Sequence, residues 1–469
     1  MEPQPHTGTV IIGGGFAGMA IARSLERRLP AAGGVTLLSR ENYITYNPLL
    51  AEVVGASILP GHVVAPIRQM IRRTRFRMVD VTGIDLERRE VITDTPAVQR
   101  IPYGQLVIAC GVQARLDMVP GMVEHALPLK MLGDALALRN RVLMQLERAE
   151  LESEPERRRR LTRFIVVGGG FSGVEVAGEL HDFLASAQRY YPSIESGDCR
   201  VVLVHSRERL LNEISPSLGE YAGRKMRATG IDIRLNARVQ RVQDTGVELQ
   251  SGEWIEGASV ICAMGSAPST LVQRLPLPKE RGRLVVEPDM SVPGHENIWA
   301  IGDGALVMNA HDQQPAPPTA QFAIQESTQV ARNIVRRTRG QSTQPFRYRP
   351  RGQLASIGRN KAVAEIYGLR ISGFPAWLLW RGFYLLKIPT LSRKIRIFIE
   401  WNWEMLFPAD IVHLRFTRSD CTANPVQGER SGAALEQSDR AARHAGRPAL
   451  NNVRHRTDLR DRDDSSCRR

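Results

Sequence analysis

Two glycine-rich segments of the chain have the residue types and spacing of loops that hold phosphate groups. Each follows a short β-branched run and leads directly into a helical pattern. The G-x-G-x-x-G pattern falls on Gly13, Gly14, Gly15, Phe16, Ala17 and Gly18 in the first copy, and its glycines are Gly168, Gly170 and Gly173 in the second. Such glycines allow a tight turn, a close approach of a pyrophosphate and packing of the helix on the strand. The free N–H groups of the helix N-terminus then face the phosphates.

One such motif is weak evidence, because glycine-rich turns also occur merely to let a strand pack against a helix. Here there are two copies, 155 residues apart, and both stand between a strand and a helix pattern. We therefore expect two bound dinucleotides. The alternation of strands and helices around the motifs predicts an α/β fold with two Rossmann-like dinucleotide-binding domains.

The residue that closes the second strand of a dinucleotide-binding unit is usually an acid that bonds the ribose hydroxyls. In the first unit this position is Ser39, followed by Arg40 and Glu41. The usual acid is therefore missing at the strand end. Ser39 and Glu41 both stay open as the group that contacts the ribose.

The second unit departs from the pattern in the same place. Its second strand, residues 200 to 204, ends in His205-Ser206-Arg207. Because an arginine near this position can pair with a 2′-phosphate, Arg207 leaves NADPH open beside NADH. The alternative is an ordinary exposed arginine.

Three further strands of the predicted nucleotide units end at small residues. One buried strand ends at Gly111, another closes the second unit at Gly265, and a third ends in Gly302-Asp303. Open α/β sheets bind ligands at the carboxyl ends of their strands, so Asp303 is a candidate ligand-binding carboxylate. Residues 231 to 262 alternate with period two, which predicts a small antiparallel insertion.

A helix is predicted to begin after two prolines, with Thr319 as its N-cap. Ala320 and Gln321 fall in its first turn. Gln325 lies four residues after Gln321 and shares its face. Two glutamines on a helix usually face solvent, so the pattern alone gives them no role.

The basic character of the chain is concentrated near its C-terminus. The formal net charge is +14, and residues 346 to 416 hold twelve Lys or Arg against four Asp or Glu, together with four of the six tryptophans. Nucleic acid would explain the charge alone, but no nucleic-acid module is recognisable and the aromatics accompany Leu/Ile-rich helical patterning. We therefore expect a membrane surface rather than nucleic acid as the partner of this region.

Residues 374 to 407 read as two amphipathic stretches. Arg381 and Lys387 interrupt the first, where we expect them to snorkel toward lipid headgroups. In the second, the expected polar face is Arg393, Arg396, Glu400 and Glu404, and the expected apolar face is Ile395, Phe398, Ile399 and Leu406. The alternative is a helical hairpin packed on the protein's own core or at a dimer interface. The polar segment 418 to 469 predicts a disordered tail.

Other features bound the class of protein. No window reaches the roughly 18 apolar residues that cross a bilayer, and residues 1 to 8 carry no signal segment, so we expect a cytoplasmic location without a membrane span. The five cysteines lack C-x-x-C spacing. This argues against a disulfide framework, a metal site and a redox-active dithiol.

The whole order of segments resembles the flavin-dependent pyridine-nucleotide oxidoreductases, and within them the bacterial type II NADH dehydrogenases, which are single-subunit NADH:quinone reductases. The likeness runs from about residue 9 to 416. The segments that carry it, besides the glycine motifs, are Asn42 to Val53, Ala300-Ile301-Gly302-Asp303, Ala320-Gln321-x-Ala323-x-Gln325, Ala355 to Asn360 and Ser372 to Trp377. The glycine motifs are generic, whereas the glutamine motif together with the aromatic C-terminus is specific.

The resemblance implies roles for the residues named above. It places FAD on the first glycine motif, with Asp303 bonding the ribityl chain, and the nicotinamide nucleotide on the second. Glu175, two residues past Gly173, matches a family glutamate proposed to act near the nicotinamide or in proton supply. Gln321 and Gln325 match the quinone and flavin contact. A hydride would pass from NADH to the flavin, and electrons would then reach a membrane quinone without proton pumping.

The same resemblance sets the expected organisation. The FAD-binding domain would comprise residues 1–115 and 291–345, the NAD(P)H-binding domain 116–290, and the membrane-associating and dimerisation region 346–417, with lipid contact through 371–416. A homodimer on the cytoplasmic side of the cell membrane is implied. The rivals are a reductase of the same fold that uses NADPH or a non-quinone acceptor, and a non-catalytic FAD- and NAD(P)H-binding redox sensor.

Overall fold

The structure is a computed structural model that describes residues 8–29, 34–94, 97–195 and 197–414. The expected tail at 418–469 and the last residues of the expected lipid-contacting segment lie outside the described residues. The α-helices in the described part are α1 Phe16–Arg28, α2 Leu50–Val54, α3 Ile67–Met70, α4 Met122–His125, α5 Leu132–Leu151, α6 Pro155–Leu161, α7 Phe171–Ala187, α8 Pro216–Thr229, α9 Thr270–Arg274, α10 Ala320–Thr338, α11 Phe374–Lys387 and α12 Leu391–Leu406.

The strands follow the same chain order. They are β1 Thr9–Ile12, β2 Val35–Ser39, β3 Tyr43–Thr45, β4 Val64–Pro66, β5 Arg75–Met78, β6 Val81–Asp85, β7 Glu90–Thr93, β8 Gln99–Pro102, β9 Gln105–Ile108, β10 Val112–Ala114, β11 Ala126–Pro128, β12 Arg163–Val167, β13 Arg200–Val204, β14 Asp232–Arg234, β15 Val239–Gln243, β16 Gly246–Leu249, β17 Trp254–Glu256, β18 Ser259–Cys262, β19 Ser266–Pro268, β20 Lys279–Glu280, β21 Arg283–Val285, β22 Ser291–Val292, β23 His295–Ala300, β24 Ala305–Leu306, β25 Met308–Asn309, β26 Gln314–Pro315, β27 Gly352–Ser356, β28 Ala362–Ile366 and β29 Leu369–Gly373.

The first nucleotide unit is built on a six-stranded sheet in the order β22-β23-β9-β1-β2-β5. Five of these strands are parallel, and β22 pairs with β23 antiparallel. Its central strand β1 is fully buried, as expected of a β-branched run covered on both faces. The chain leaves this sheet after β9 and returns to it at β22.

The second nucleotide unit is a five-stranded parallel sheet in the order β11-β18-β12-β13-β14. The sequence expectation of an antiparallel insertion over 231 to 262 is too wide. Its first strand, β14, pairs parallel with β13, and its last, β18, pairs parallel with β12. Only β15, β16 and β17 form the antiparallel sheet. The short strand β14 mimics period two although it belongs to the main sheet.

The predicted α/β class with two Rossmann-like units is confirmed. The exact domain boundaries stay predictions. Another antiparallel sheet, β27-β28-β29, leads into α11 and α12. No helix in the described part is both long and apolar enough to cross a membrane.

Candidate functional site

The first glycine loop has the backbone geometry that a phosphate-binding turn needs. Gly13 has a φ of +110°, and a Cβ on it would lie 2.2 Å from the carbonyl oxygen of Ala109. A Cβ on Gly18 would lie 1.7 Å from the carbonyl oxygen of Gly13, so α1 packs directly on the turn. At Gly15 a Cβ would meet no heavy atom within 4 Å. The loop is therefore closed on the protein side and open at Gly15, where a ligand can approach.

The second loop repeats this geometry. Gly168 has a φ of +120°, and a Cβ on Gly173 would lie 1.7 Å from its carbonyl oxygen. A Cβ on Gly170 would have a single neighbour within 4 Å, the Oε1 atom of Glu213 at 3.8 Å. Gly15 and Gly170 are the N-caps of α1 and α7, and no side chain caps either helix. Both helix ends thus keep backbone N–H groups that can donate hydrogen bonds to a phosphate.

The residues at the two strand ends lie in equivalent places. A Cβ on Gly14 would come within 2.5 Å of Ser39 Oγ, and a Cβ on Gly169 within 2.6 Å of His205 Cγ. His205 is further fixed, because the Gly169 N–H donates to its Nδ1 atom at 3.0 Å. Burial, together with the charge of Arg207, lowers the pKa of His205 below 6.5. The side chain at this position is therefore neutral in both units.

The arginines that follow these strand ends differ. Arg40 donates from Nε to Asp80 Oδ1 at 2.6 Å. Arg207 is exposed and forms no ion pair with any residue that the structure describes. Glu41, the other ribose candidate of the first unit, is half-buried, and burial together with the charge of Glu41 raises the pKa of Tyr43.

A side chain of α10 holds the turn at Gly302-Asp303 in place. The Gly302 N–H donates to Glu326 Oε2 at 2.7 Å, and burial raises the pKa of Glu326 to about 7. Burial also raises the pKa of Asp303, while Lys130 and Arg283 act in the opposite direction. Within the described residues the Asp303 carboxylate accepts no hydrogen bond, so it is free to accept one from a ligand.

Two other glycines follow the carboxyl ends of strands, and both have a left-handed backbone conformation. Gly111 has a φ of +64° and Gly265 a φ of +67°. A Cβ on Gly111 would be in open space, whereas one on Gly265 would lie 2.8 Å from Met118 Sδ. Gly111 is therefore the more open of the two. Cys110 beside it is a free thiol whose pKa burial raises to about 12, which makes it a poor nucleophile.

Helix α10 begins where the sequence predicts and carries both glutamines. Thr319 is its N-cap, with Oγ1 accepting the Phe322 N–H at 3.5 Å. Gln321 and Gln325 are half-buried, and their amides make no hydrogen bond to any described residue. Ser327 on the same helix donates to the Ala17 carbonyl at 2.9 Å and so attaches α10 to α1.

Glu175 lies on α7 and is buried between elements of two regions. Its Oε1 atom accepts the Ser356 N–H of β27 at 3.4 Å, and its charge acts on Tyr384 of α11. Burial raises the pKa of Glu175 to about 8. No hydrogen bond joins it to Gln321 or Gln325 in the part of the chain that the structure describes. The structure therefore brings Glu175 to the C-terminal region rather than into contact with the glutamine pair.

A buried cluster near Glu175 escaped the sequence analysis. We call it the glutamate cluster, and it consists of Glu52, Glu179, Glu404 and Arg381. Arg381 Nη2 donates to Glu404 Oε2 at 2.9 Å, and Ser57 Oγ donates to Glu404 Oε1 at 3.0 Å and lies 3.3 Å from Glu179 Oε2. The Trp401 indole N–H donates to Glu52 Oε2 at 2.9 Å.

Burial sets the charge state of the glutamate cluster. It raises the pKa of Glu52 to about 8 and that of Glu179 well above its usual value, while Arg381 opposes both shifts. One guanidinium cannot neutralise three carboxylates, and Glu52, with its pKa of about 8, holds a proton at neutral pH. A polar signal existed in the sequence, because Glu52 stands in the otherwise apolar run of α2.

The predicted snorkelling of Arg381 is wrong. Its side chain is only 13% exposed, and its guanidinium lies 3.9 Å from the ring centroid of Trp377 and 5.1 Å from that of Trp401. The ion pair with Glu404 and the two ring contacts hold it inside the protein. Three of the four tryptophans of this region, Trp377, Trp380 and Trp401, are buried, and only Trp403 is exposed.

The polar face of α12 does not face solvent along its whole length. Glu400 accepts the Leu59 N–H at 3.1 Å and pairs with His62, and Glu404 belongs to the glutamate cluster. The apolar face is the exposed one. Its side chains are Ile395, 50% exposed, Phe398 and Ile399, both 56%, and Leu406, 78%. A contiguous exposed apolar face of this kind marks an interaction surface.

Comparison with known proteins gives consistent matches. Residues 7–327 match the family model described as pyridine nucleotide-disulphide oxidoreductase, and residues 351–410 match the NDH2 C-terminal domain. The chain is 32% identical over 419 residues to the type II NADH:quinone oxidoreductase Ndh of Mycobacterium tuberculosis, which covers 86% of this chain and 88% of the relative. It is 31% identical to NdhA of the same organism over 93% of this chain and 96% of the relative.

A solved structure supports the same fold. NDH2 from Plasmodium falciparum in complex with NADH superposes with a TM-score of 0.81 and 20% identity, covering 87% of this chain and all of that one. Likeness at this identity speaks for the fold alone.

Proposed function

This chain belongs to the type II NADH:quinone oxidoreductases of the pyridine nucleotide-disulphide oxidoreductase family, and from that membership we propose its reaction in detail. It is an oxidoreductase that takes a hydride from NADH onto FAD and passes two electrons to a quinone, without pumping protons. The observation that carries this proposal is the duplicated glycine loop, closed on the protein side and open at Gly15 and Gly170.

The first loop and its neighbours would hold FAD. The proposed contacts are Gly13, Gly14, Gly15, Phe16, Ala17, Gly18, Ser39, Arg40, Gly111, Gly302, Asp303, Ala320 and Gln321. The open space at Gly15 and the uncapped N-terminus of α1 suit its pyrophosphate. The free Asp303 carboxylate suits a sugar-alcohol chain. When bound, FAD supplies the redox chemistry, and the protein supplies position and field.

The second loop would hold the nicotinamide nucleotide. The proposed contacts are Gly168, Gly170, Gly173, Glu175, His205, Arg207 and Gly265. The open space at Gly170 and the uncapped N-terminus of α7 again suit a pyrophosphate. Hydride transfer needs two rings held face to face at near-contact distance rather than an acid or a base. The unreactive Cys110 is consistent with this demand.

Three residues are proposed to take part in quinone reduction, two as quinone contacts and one as a proton supply. The unpaired amides of Gln321 and Gln325 can donate to quinone oxygens. Reduction of a quinone by NADH consumes one proton beyond the hydride, and a carboxyl group with a pKa of about 8 holds a proton at neutral pH. Glu175 meets this requirement. The glutamate cluster next to it would keep that proton in place by disfavouring further negative charge.

The exposed apolar face of α12 is proposed to rest on the membrane. Side chains at this face, including Phe398 and Ile399, have no partner among the described residues that would cover them. A helix with such a face lies in the lipid interface. The protein would be peripheral on the cytoplasmic side, and a homodimer would share the C-terminal helices between subunits. A quinone could then enter from the lipid side.

The experiment that tests the reaction uses the purified, detergent-solubilised protein. The expected sample is yellow with bound FAD, oxidises NADH when a short-chain quinone is added, and floats with liposomes in a density gradient. Absence of flavin absorption would contradict the cofactor. Flavin that NADH does not reduce would contradict the donor, and reduced flavin that a quinone does not reoxidise would contradict the acceptor.

A further inference from the structure

The strand end of the second nucleotide unit lacks the group that selects NADH. In sites for NAD an acid at this position bonds the ribose 2′-hydroxyl, and its charge repels a 2′-phosphate. Here β13 is followed by His205, Ser206 and Arg207. None of these three side chains is negative, and the carboxylate that follows them, Glu208, pairs with Arg209 at 3.7 Å.

His205 occupies the place of the acid in a fixed and uncharged form. Its Nδ1 atom accepts the Gly169 N–H at 3.0 Å, and the Asn212 amide lies 3.1 Å from its Nε2 atom. Burial and the neighbouring Arg207 lower its pKa below 6.5. An imidazole held in this way against the glycine loop neither repels phosphate nor provides the paired acceptors of a carboxylate for two ribose hydroxyls.

The backbone of Arg207 is fixed by a hydrogen bond, whereas its side chain forms no ion pair with the described residues. Its carbonyl oxygen accepts the Asn236 N–H at 3.0 Å, which fixes the root of the side chain beside the strand end. Its guanidinium is exposed and without an ion pair in the described part of the chain. The neighbouring Arg209, in contrast, lies 3.7 Å from Glu208. Five free donors in a planar fork fit the oxygens of a phosphate.

Two carboxylates stand near this site. Glu208 follows Arg207 directly and pairs with Arg209 at 3.7 Å. Glu213 lies at Gly170, on the helix side of the loop, and its charge also acts on His205. Arg238, on the loop whose Ala237 N–H donates to the His205 carbonyl at 2.9 Å, adds a second exposed positive charge near the strand end. Arg207, Arg209 and Arg238 outnumber Glu208 at the strand end, so the local charge there is positive.

We propose that the second dinucleotide site accepts NADPH as well as NADH, and that Arg207 binds the 2′-phosphate of NADPH. This inference rests on the proposed function, because it assumes that the nicotinamide nucleotide occupies the second loop. It adds a substrate to that function and assigns a specificity residue to this chain.

The first test compares steady-state kinetics with the two dinucleotides and one quinone analogue. The native protein should oxidise both, with kcat/KM values within about tenfold of each other. Arg207→Ala should lower kcat/KM for NADPH by roughly tenfold, the value of a lost charged hydrogen bond, and leave that for NADH nearly unchanged. Arg227→Ala, which removes an exposed arginine from α8, is the matched control and should change neither.

A second readout measures binding without turnover. By calorimetry, adenosine 2′,5′-bisphosphate should bind the native protein more tightly than ADP, and Arg207→Ala should abolish that difference. His205→Glu, which restores an acid to the strand end, should weaken the bisphosphate and strengthen ADP. Glu213→Gln should affect both compounds alike.

The outcomes separate this inference from the proposed function. A protein that oxidises NADH but not NADPH, or an Arg207→Ala variant that loses both dinucleotides equally, would overturn the inference and leave the reaction intact. Selective loss of NADH in Glu213→Gln would also overturn it, because the site would then contain a ribose acid after all. A protein that oxidises neither dinucleotide would refute the proposed function itself.

Discussion

The two nucleotide units of this molecule share their backbone and differ in the chemistry at their strand ends. In both, a Cβ on the last motif glycine, Gly18 or Gly173, would lie 1.7 Å from a carbonyl oxygen of the turn. After the second strand, however, Arg40 is engaged by Asp80 whereas Arg207 has no ion pair among the described residues. We therefore expect the glycines to fix where a pyrophosphate lies, and the residues after the strand to decide which nucleotide is preferred.

The largest expected effect is on stability, and it comes from replacing Gly18, which packs against the turn. Gly15, which faces the space for a ligand, should behave differently. Gly18→Ala should lower the free energy of unfolding by about 3 kcal/mol, because its Cβ would overlap the Gly13 carbonyl oxygen. Gly15→Ala should leave the fold intact, since no heavy atom lies within 4 Å, but should reduce the flavin content. Thermal unfolding and the ratio of flavin to protein measure the two effects. Equal destabilisation by both variants would break the comparison.

The glutamate cluster connects the second unit to the C-terminal region and should make stability depend on pH. Burial raises the pKa of Glu52 to about 8, so the folded state favours the protonated form. The corresponding stability is complete below the unfolded pKa near 4.5 and is lost as pH rises through 8, by a few kcal/mol. Glu52→Gln should flatten this loss. Melting temperatures at pH 5 and pH 8.5 test it, and an unchanged slope in the variant would contradict the assignment.

A double variant on α12 changes neither nucleotide unit. It therefore tests membrane contact separately from nucleotide binding. Phe398→Ser with Ile399→Ser removes two exposed apolar side chains. The partition coefficient onto liposomes, read from flotation, should fall by about a hundredfold, because roughly 3 kcal/mol of apolar burial in lipid is lost. Oxidation of NADH by a water-soluble quinone should persist. Arg396→Ser, at an exposed position of the same helix, is the matched control. Unchanged flotation of the double variant would remove this face from membrane contact.

The smallest expected effect concerns Arg40, the counterpart of Arg207. Its ion pair with Asp80 joins side chains that are 74% and 41% exposed. Asp80→Asn should therefore cost less than about 1 kcal/mol of stability. Denaturant unfolding measures this cost. A larger loss would mean that Arg40 has a structural role that Arg207 lacks, and the two strand ends would then not be comparable.

The sequence predicted the parts of the site that depend on local chemistry. The glycine loops, the Gly302-Asp303 turn and the Thr319 cap depend on residue types at fixed spacing. The glutamate cluster depends on tertiary packing, because Glu52 and Glu404 are 352 positions apart in the chain, and no local pattern links them. Helical periodicity separated the two faces of α12 correctly. It could not show that the face with Glu400 and Glu404 packs inward. Periodicity separates the two faces of a helix, but it does not show which of them contacts the rest of the protein.

The same limit explains two other differences. Strand β14 is three residues long, and a run of that length cannot distinguish a parallel core strand from an antiparallel one. Arg381 looked suited to lipid headgroups because a lone arginine in an apolar helix commonly snorkels. Its real partners, Glu404 and Trp377, become visible only when α11 and α12 are packed together.

The account requires two dinucleotides bound at once, one to each unit, with electrons passing between them. The most direct measurement is anaerobic addition of NADH to flavin-loaded protein, native and Gly170→Ala, while the visible flavin absorption is followed. The account predicts that NADH bleaches the native flavin, and that the variant keeps its flavin but needs much more NADH to bleach it. Bleaching of both proteins at the same NADH concentration would contradict it.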